Sequence, residues 1–190
     1  MDKFKLIYDY ILNNDEAVNL QRFEIAWDIS EHFGKVREEL KRNIAIEIES
    51  RLSQGLDDNW MVINTFEEGY WNKHSAGIFL KNQNWVLNEH EILLGMQADG
   101  QEFHNLYVCF KYHNDISEYF ENEFDDLESV KHWYGMKRAW IDETYRNTCT
   151  KDYFIKITTE KGKKEVVDYC VNKIYEFQKA HESRIKKIIK

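Results

Sequence analysis

Near Asn59 the apolar residues of this chain change their period once, and that change constrains the fold more than any other feature. Before it, apolar positions recur every three or four residues; after it they come in short β-favouring runs. Val36, Leu40, Ile44, Ile48 and Leu52 stand four apart, with Gly55 placed to stop a helix. Leu20, Phe23, Ala26, Trp27 and Phe33 share an earlier stripe, for which Asn19 can act as the cap and Gly34 as an end or kink. Phe4, Ile7, Tyr8 and Ile11 predict a short first helix over 3–12. Residues 1–57 are therefore expected to be mostly helical, as one long helix or a helical hairpin.

Beyond Asn59, the segments 60–63, 76–80, 89–97 and 103–112 predict strands separated by turn residues. Asp99-Gly100 is a preferred pair for a two-residue type I′ hairpin turn. That turn would set Ala98 opposite Gln101, Gly95 opposite His104, Leu93 opposite Leu106 and Glu91 opposite Val108. Glu91, Leu93, His104, Leu106, Val108 and Phe110 would then share one face, with Ile92, Leu94, Met96, Tyr107 and Cys109 on the other. Both faces have apolar centres, as expected of a central hairpin covered on both sides.

Asn114 and Asp115 can cap a helix whose inward stripe is Ile116, Phe120, Phe124 and Leu127, closed by Gly135. A short strand is expected over 153–158 and a long final helix over 163–189, with Val167, Cys170, Ile174, Phe177, His181 and Ile188 at near-heptad spacing. The fold class is α+β: N-terminal helices, a mainly antiparallel sheet of four or five strands, and a long C-terminal helix. Repeats and Gly/Ser linkers are absent, so a single domain over 1–190 is expected, with 1–57 helical and 58–190 a sheet with covering helices.

The 190 residues carry a net charge of −8, which disfavours a general grip on nucleic-acid phosphates. The last forty residues hold 11 basic and 6 acidic side chains. A basic C-terminal helix can pair with the acidic body or reach a separate acidic partner, and direct nucleic-acid binding is expected only there. Cys109, Cys149 and Cys170 fit neither a C-x-x-C pair nor a zinc clamp, and with no signal peptide they predict free thiols in a reducing, cytoplasmic setting. No apolar run approaches the ~20 residues of a membrane span. The chain has no proline where about nine would be average, which removes Pro-stiffened linkers and Pro-containing motifs.

Catalytic fingerprints are missing too. There is no G-x-G, no Walker A sequence, no G-x-S-x-G elbow, no H-E-x-x-H and no EF-hand loop, and no cofactor is expected. Histidines and acids are densest at Glu89, His90, Glu91, His104 and His113. In the expected register His90 and His104 point to opposite faces, which spoils a shared metal site, so no metal is expected. Glu91 and His104 share a face about 9–10 Å apart, close enough to cooperate across a ligand. Cys149, in a polar stretch, is the expected exposed thiol, while Cys109 and Cys170 belong on apolar stripes. Trp71 and Trp85 fall at element ends, where they could line a groove or an interface. The segment 115–128 carries seven carboxylates in fourteen residues. Glu118, Glu121, Asp125 and Asp126 could form either a solvated face or a surface imitating the phosphate array of a nucleic acid.

The run from Tyr70 to Leu80, then Trp85 and Glu91-Ile92-Leu93-Leu94, resembles the β-rich C-terminal module of bacterial proteins grouped with the PD-(D/E)XK nuclease superfamily. The resemblance covers about 60–120. Those nucleases pair an Asp with a D/E-x-K on neighbouring strands to hold a metal, whereas Glu39-Leu40-Lys41 here lies in a helical stripe. The resemblance therefore implies an accessory or recognition module. Complete folding signals beside nearly empty catalytic ones point to a non-catalytic binding or regulatory protein with a protein partner, in a bacterial phage-defence or mobile-element setting. The alternatives are an acidic inhibitor of a nucleic-acid enzyme and a metal-dependent hydrolase built on Glu91 and His104.

Overall fold

Asp15 starts the longest helix of the chain: its Oδ1 accepts hydrogen bonds from Ala17 N (3.0 Å) and Val18 N (3.4 Å). In the computed structural model, which describes residues 3–12, 15–66, 76–98, 105–131 and 134–190, a first helix α1 spans Lys3–Ile11 and α2 runs unbroken over Glu16–Gln54. The cap is thus Asp15 and not Asn19, whose N–H is already bonded to Asp15 O. Gly34 lies inside the helix. The chain divides into two compact units, 1–39 and 40–190.

In the first unit Arg22 joins the helices, donating to Tyr10 O (2.7 Å) with its guanidinium over the Tyr10 ring. No described residue of this unit is buried. The stripe expected to be core is exposed: Leu20, Phe23, Trp27 (57%) and Phe33 all face solvent. Periodicity marks which face of a helix is apolar, but burial needs something to lie against it.

The second unit is built on a six-stranded antiparallel sheet in the order β1-β2-β3-β4-β6-β5. Its strands are β1 (Trp60–Asn64), β2 (Gly77–Leu87), β3 (His90–Ala98), β4 (Leu106–Tyr112), β5 (Glu128–Lys131) and β6 (Gly135–Trp140). β2 and β3 are joined by a two-residue turn, Asn88 and Glu89, with φ of 49° and 68°. Positive φ at both positions is what a type I′ turn requires, and Asn tolerates it. The Asp99-Gly100 turn lies outside the described residues.

The β3–β4 register differs from the expected one. Leu93 pairs with Lys111, Gly95 with Cys109 and Ala98 with Leu106. The slip is five residues, an odd number, so every side chain of β4 changes partners across the faces. Ile92, Leu94, Met96 and Ala98 share a face with Leu106, Val108, Phe110 and Tyr112, and there they form the main core. The opposite face gathers Phe79, Tyr107, Cys109 and Met136. Gly95 permits this packing, because a Cβ there would run into the backbone of Ile78 and Phe79.

Helices cover the main core face. The inner half of α2 supplies Ile44, Ala45, Ile48 and Leu52, each 0–1% exposed. After a 3-10 turn (Asn114–Ile116), α3 (Ser117–Glu123) supplies Phe120. A one-turn α4 (Glu143–Arg146) precedes α5 (Lys151–Ile157) and α6 (Glu160–Ile188).

Two expected elements are replaced. The helix begun at Ser117 ends at Phe124, whose φ of −121° and ψ of 49° leave the helical region, and β5 then pairs antiparallel with β6. Gly135 opens β6 under the Tyr112 ring, where a side chain would collide, and does not close a helix. The strand expected over 153–158 is α5. Thr150 caps it by accepting from Tyr153 N (3.2 Å), and Tyr153, Phe154 and Ile157 turn inward while Ile155 faces out. The β-branched and aromatic content of that segment suits a strand, yet the cap and the inward spacing of a helix prevail. Among the described residues, no helix is long and apolar enough to cross a membrane.

Candidate functional site

His90 opens β3 beside the Asn88-Glu89 turn, and His113 follows β4 directly. Antiparallel pairing of β3 with β4 brings these chain ends together, stacking the two imidazoles with centroids 4.1 Å apart and planes 9° from parallel. The chain then turns into the 3-10 segment, capped by His113, whose Nδ1 accepts from Asp115 N at 3.3 Å. That turn aims the Asp115 carboxylate back at both rings. Its Oδ2 lies 3.4 Å from His90 Nε2 and 3.3 Å from His113 Nδ1. Two imidazoles and one carboxylate are a recognised donor set for zinc and other first-row divalent ions. These three residues meet within 4.8 Å of one another.

A cleft of about 200 Å³ adjoins His113, lined by Glu91, Leu93, Lys111, Tyr112 and Tyr134. Glu91 therefore stands near His113 and Lys111, and its carboxylate is paired with Lys81 at 2.5 Å. His104, its expected partner, lies outside the described residues, as does Trp71. Lys111 sits over the Phe79 and Tyr134 rings at 5.3 and 4.0 Å, and burial lowers its pKa from the ordinary lysine value.

Trp85 is 2% exposed and packs edge-on against Trp60 with centroids 4.9 Å apart, so its side chain is a core residue unavailable to a partner. Of the four acidic candidates, Glu118, Asp125 and Asp126 are exposed and Glu121 is half-buried. Glu121 accepts from Ser129 Oγ and from Lys137 Nζ, both at 2.8 Å, and Lys137 is itself only 1% exposed. Asp126 is held by Arg184 at 2.7 Å, and that hydrogen bond keeps its carboxyl below the usual range. Arg184 also reaches Glu123, as does Lys187. The basic final helix thus pairs with acids of the body.

Cys109 and Cys170 are buried, and burial pushes each thiol up to about 12. Half-buried Cys149 accepts a hydrogen bond from Lys41 Nζ at 3.2 Å.

Sequence reasoning had His90, His113 and Asp115 in hand but dispersed, with Asp115 read as a cap and the histidines tied to another register. His-x-Asp directly after a strand, together with a His at the start of the preceding strand, is the pattern that marks the cluster. Compared with known proteins, the chain matches no family model, no curated protein and no solved structure.

Proposed function

We propose that the chain is a non-catalytic binding protein whose residues 1–39 are its docking element, with a second copy of the same chain as the occupant. The observation that carries this is the state of the first unit: of seventeen large apolar side chains exposed among the described residues, twelve lie within 1–39. Leu20, Phe23 and Trp27 fall on one side of α2, while Ile25, Ile29, Phe33 and Val36 fall on the opposite side. At nine residues, α1 is marginal in water unless its apolar face is packed.

Area favours a second copy. One partner can lie against only one of these sides; about half of the twelve side chains, at roughly half exposure, then offer on the order of 500 Å² per chain, so a two-fold pair would cover ~1,000 Å², about the least a specific interface needs.

The defence or mobile-element setting rests on the resemblance of 60–120 alone. The inhibitor alternative keeps Glu118 and Asp125 as exposed acids but has Glu121 and Asp126 engaged in internal pairs. The hydrolase alternative starts from a Glu91 already paired with Lys81.

Sedimentation equilibrium of the full chain tests the proposal. The expected result is a dimer that Phe23→Glu with Trp27→Glu converts to a monomer, while the main melting transition stays in place. A wild-type chain that is monomeric at every concentration, or a dimer indifferent to both substitutions, would overturn it. A monomer leaves these faces to a different protein.

A further inference from the structure

We propose that His90, His113 and Asp115 form a binding site for a borderline first-row divalent cation, with Zn²⁺ as its representative. The proposal is independent of the docking role of residues 1–39, and either can fail without the other.

Distance is the first argument. A tetrahedral ion with bonds of about 2.0–2.1 Å holds its donor atoms about 3.3 Å apart. The two donor separations that involve Asp115 Oδ2 are 3.4 and 3.3 Å, longer than good N–H to O hydrogen bonds and matched to the edges of such a tetrahedron. The third edge, between the two ring nitrogens, has only to close from within 4.8 Å. Because the rings are parallel, an ion in the plane of one lies outside the plane of the other. Binding must therefore turn one ring out of the stack, and His113, the more exposed of the two, is the one with room to turn, at the cost of the hydrogen bond it accepts from Asp115 N.

Charge is the second argument. His113 Nδ1 already points its lone pair at Asp115 N–H, so its proton resides on Nε2. The same lone pair faces Asp115 Oδ2 at 3.3 Å, setting two acceptors against each other. A cation between them takes that lone pair in place of the Asp115 N–H and balances the carboxylate, and the displaced N–H of exposed Asp115 turns to solvent. Neutral imidazole and carboxylate donors suit zinc, cobalt or nickel, whereas magnesium and calcium favour all-oxygen shells.

Backbone placement is the third. His90 is held by its pairing with Leu87 across a two-residue turn, and His113 and Asp115 are held by the end of β4 and its 3-10 turn. An ion here clips the outer end of the β3–β4 ladder, and three protein donors leave a coordination position for water.

Calorimetric titration of the full chain with Zn²⁺, and with Co²⁺ followed by visible absorption, is the test. One ion per chain is expected, with the absorption of a nitrogen- and oxygen-ligated tetrahedral cobalt. His90→Ala and His113→Asn should each weaken uptake about tenfold or more. The His113→Asn change retains a short side-chain acceptor for the 3-10 turn, and His90→Gln keeps the side-chain volume should His90→Ala fail to fold. No uptake, or uptake unchanged in the His90 and His113 variants, would overturn the proposal. A thiolate-to-cobalt band would do the same by placing the ion on a cysteine.

Discussion

Residues 16–39 and 40–54 belong to one helix, both carry apolar side chains at helical spacing, and meet opposite fates. Ile44, Ile48 and Leu52 are sealed under the sheet, while Leu20, Phe23, Trp27 and Phe33 are more than half exposed. The difference lies in what stands opposite. The inner half of α2 faces a twisted sheet and α6, and the outer half has only the nine-residue α1 within its unit. An apolar stripe is a request for a partner, and only the second unit supplies its own.

Truncation in the second unit should sharpen that contrast most. Phe110 touches Phe120, Phe124 and Phe177 with centroids 5.0–5.9 Å apart, so Phe110→Ala should cost about 3–5 kcal/mol in denaturant unfolding. Trp27→Ala, of similar lost volume, should shift the same transition of the dilute chain by less than about 0.5 kcal/mol. Equal losses would erase the distinction between the units.

A smaller effect comes from the buried Lys137. Glu121→Ala strips its carboxylate and should cost about 2 kcal/mol, reduced from the fully buried case because Glu121 is 39% exposed. Lys137→Met in the same background should recover most of it. If Glu121→Ala left the melting temperature untouched, Glu121 would be free to serve a surface role after all.

A pH effect follows from His181, which lies among Phe110, Phe124 and Phe177 beside Arg184 and Asp126. Burial lowers its pKa, Arg184 lowers it further, and Asp126 partly opposes them. The unfolded chain then binds the proton more readily, so this contribution is complete above about pH 6.5 and is lost as pH falls below it. Melting temperatures at pH 7.5 and 5.5 should differ less in His181→Phe than in wild type. The smallest change is expected in the first unit, where Lys5→Ala removes the exposed Lys5–Asp9 pair (2.9 Å) and should alter stability by a few tenths of a kcal/mol at about pH 7.

The α+β class, the change of period at Asn59 and the strands near 60–64, 90–98 and 106–112 were legible because each element carries a local signature. Register was not. It depends on the connection between β3 and β4, and the odd slip moved Leu106, Val108 and Phe110 onto the face of Leu94. The helix ending at Phe124 was hidden because Leu127 and Val130 continue the apolar spacing into β5. The metal-donor cluster was legible as residues and illegible as a site, since it exists only once the β2–β3 turn and the end of β4 are side by side. Trp85 and Glu121 show the converse. Residue type suggested a surface role for each, and long-range packing took both into the interior network.

Hydrogen exchange of the full chain across a range of concentrations tests most directly whether the first unit is completed by a second copy. Amides of 20–36 should gain protection as concentration rises from low micromolar to hundreds of micromolar, while those of 44–52 stay constant throughout. Protection of 20–36 that is independent of concentration and equal to that of 44–52 would contradict the account.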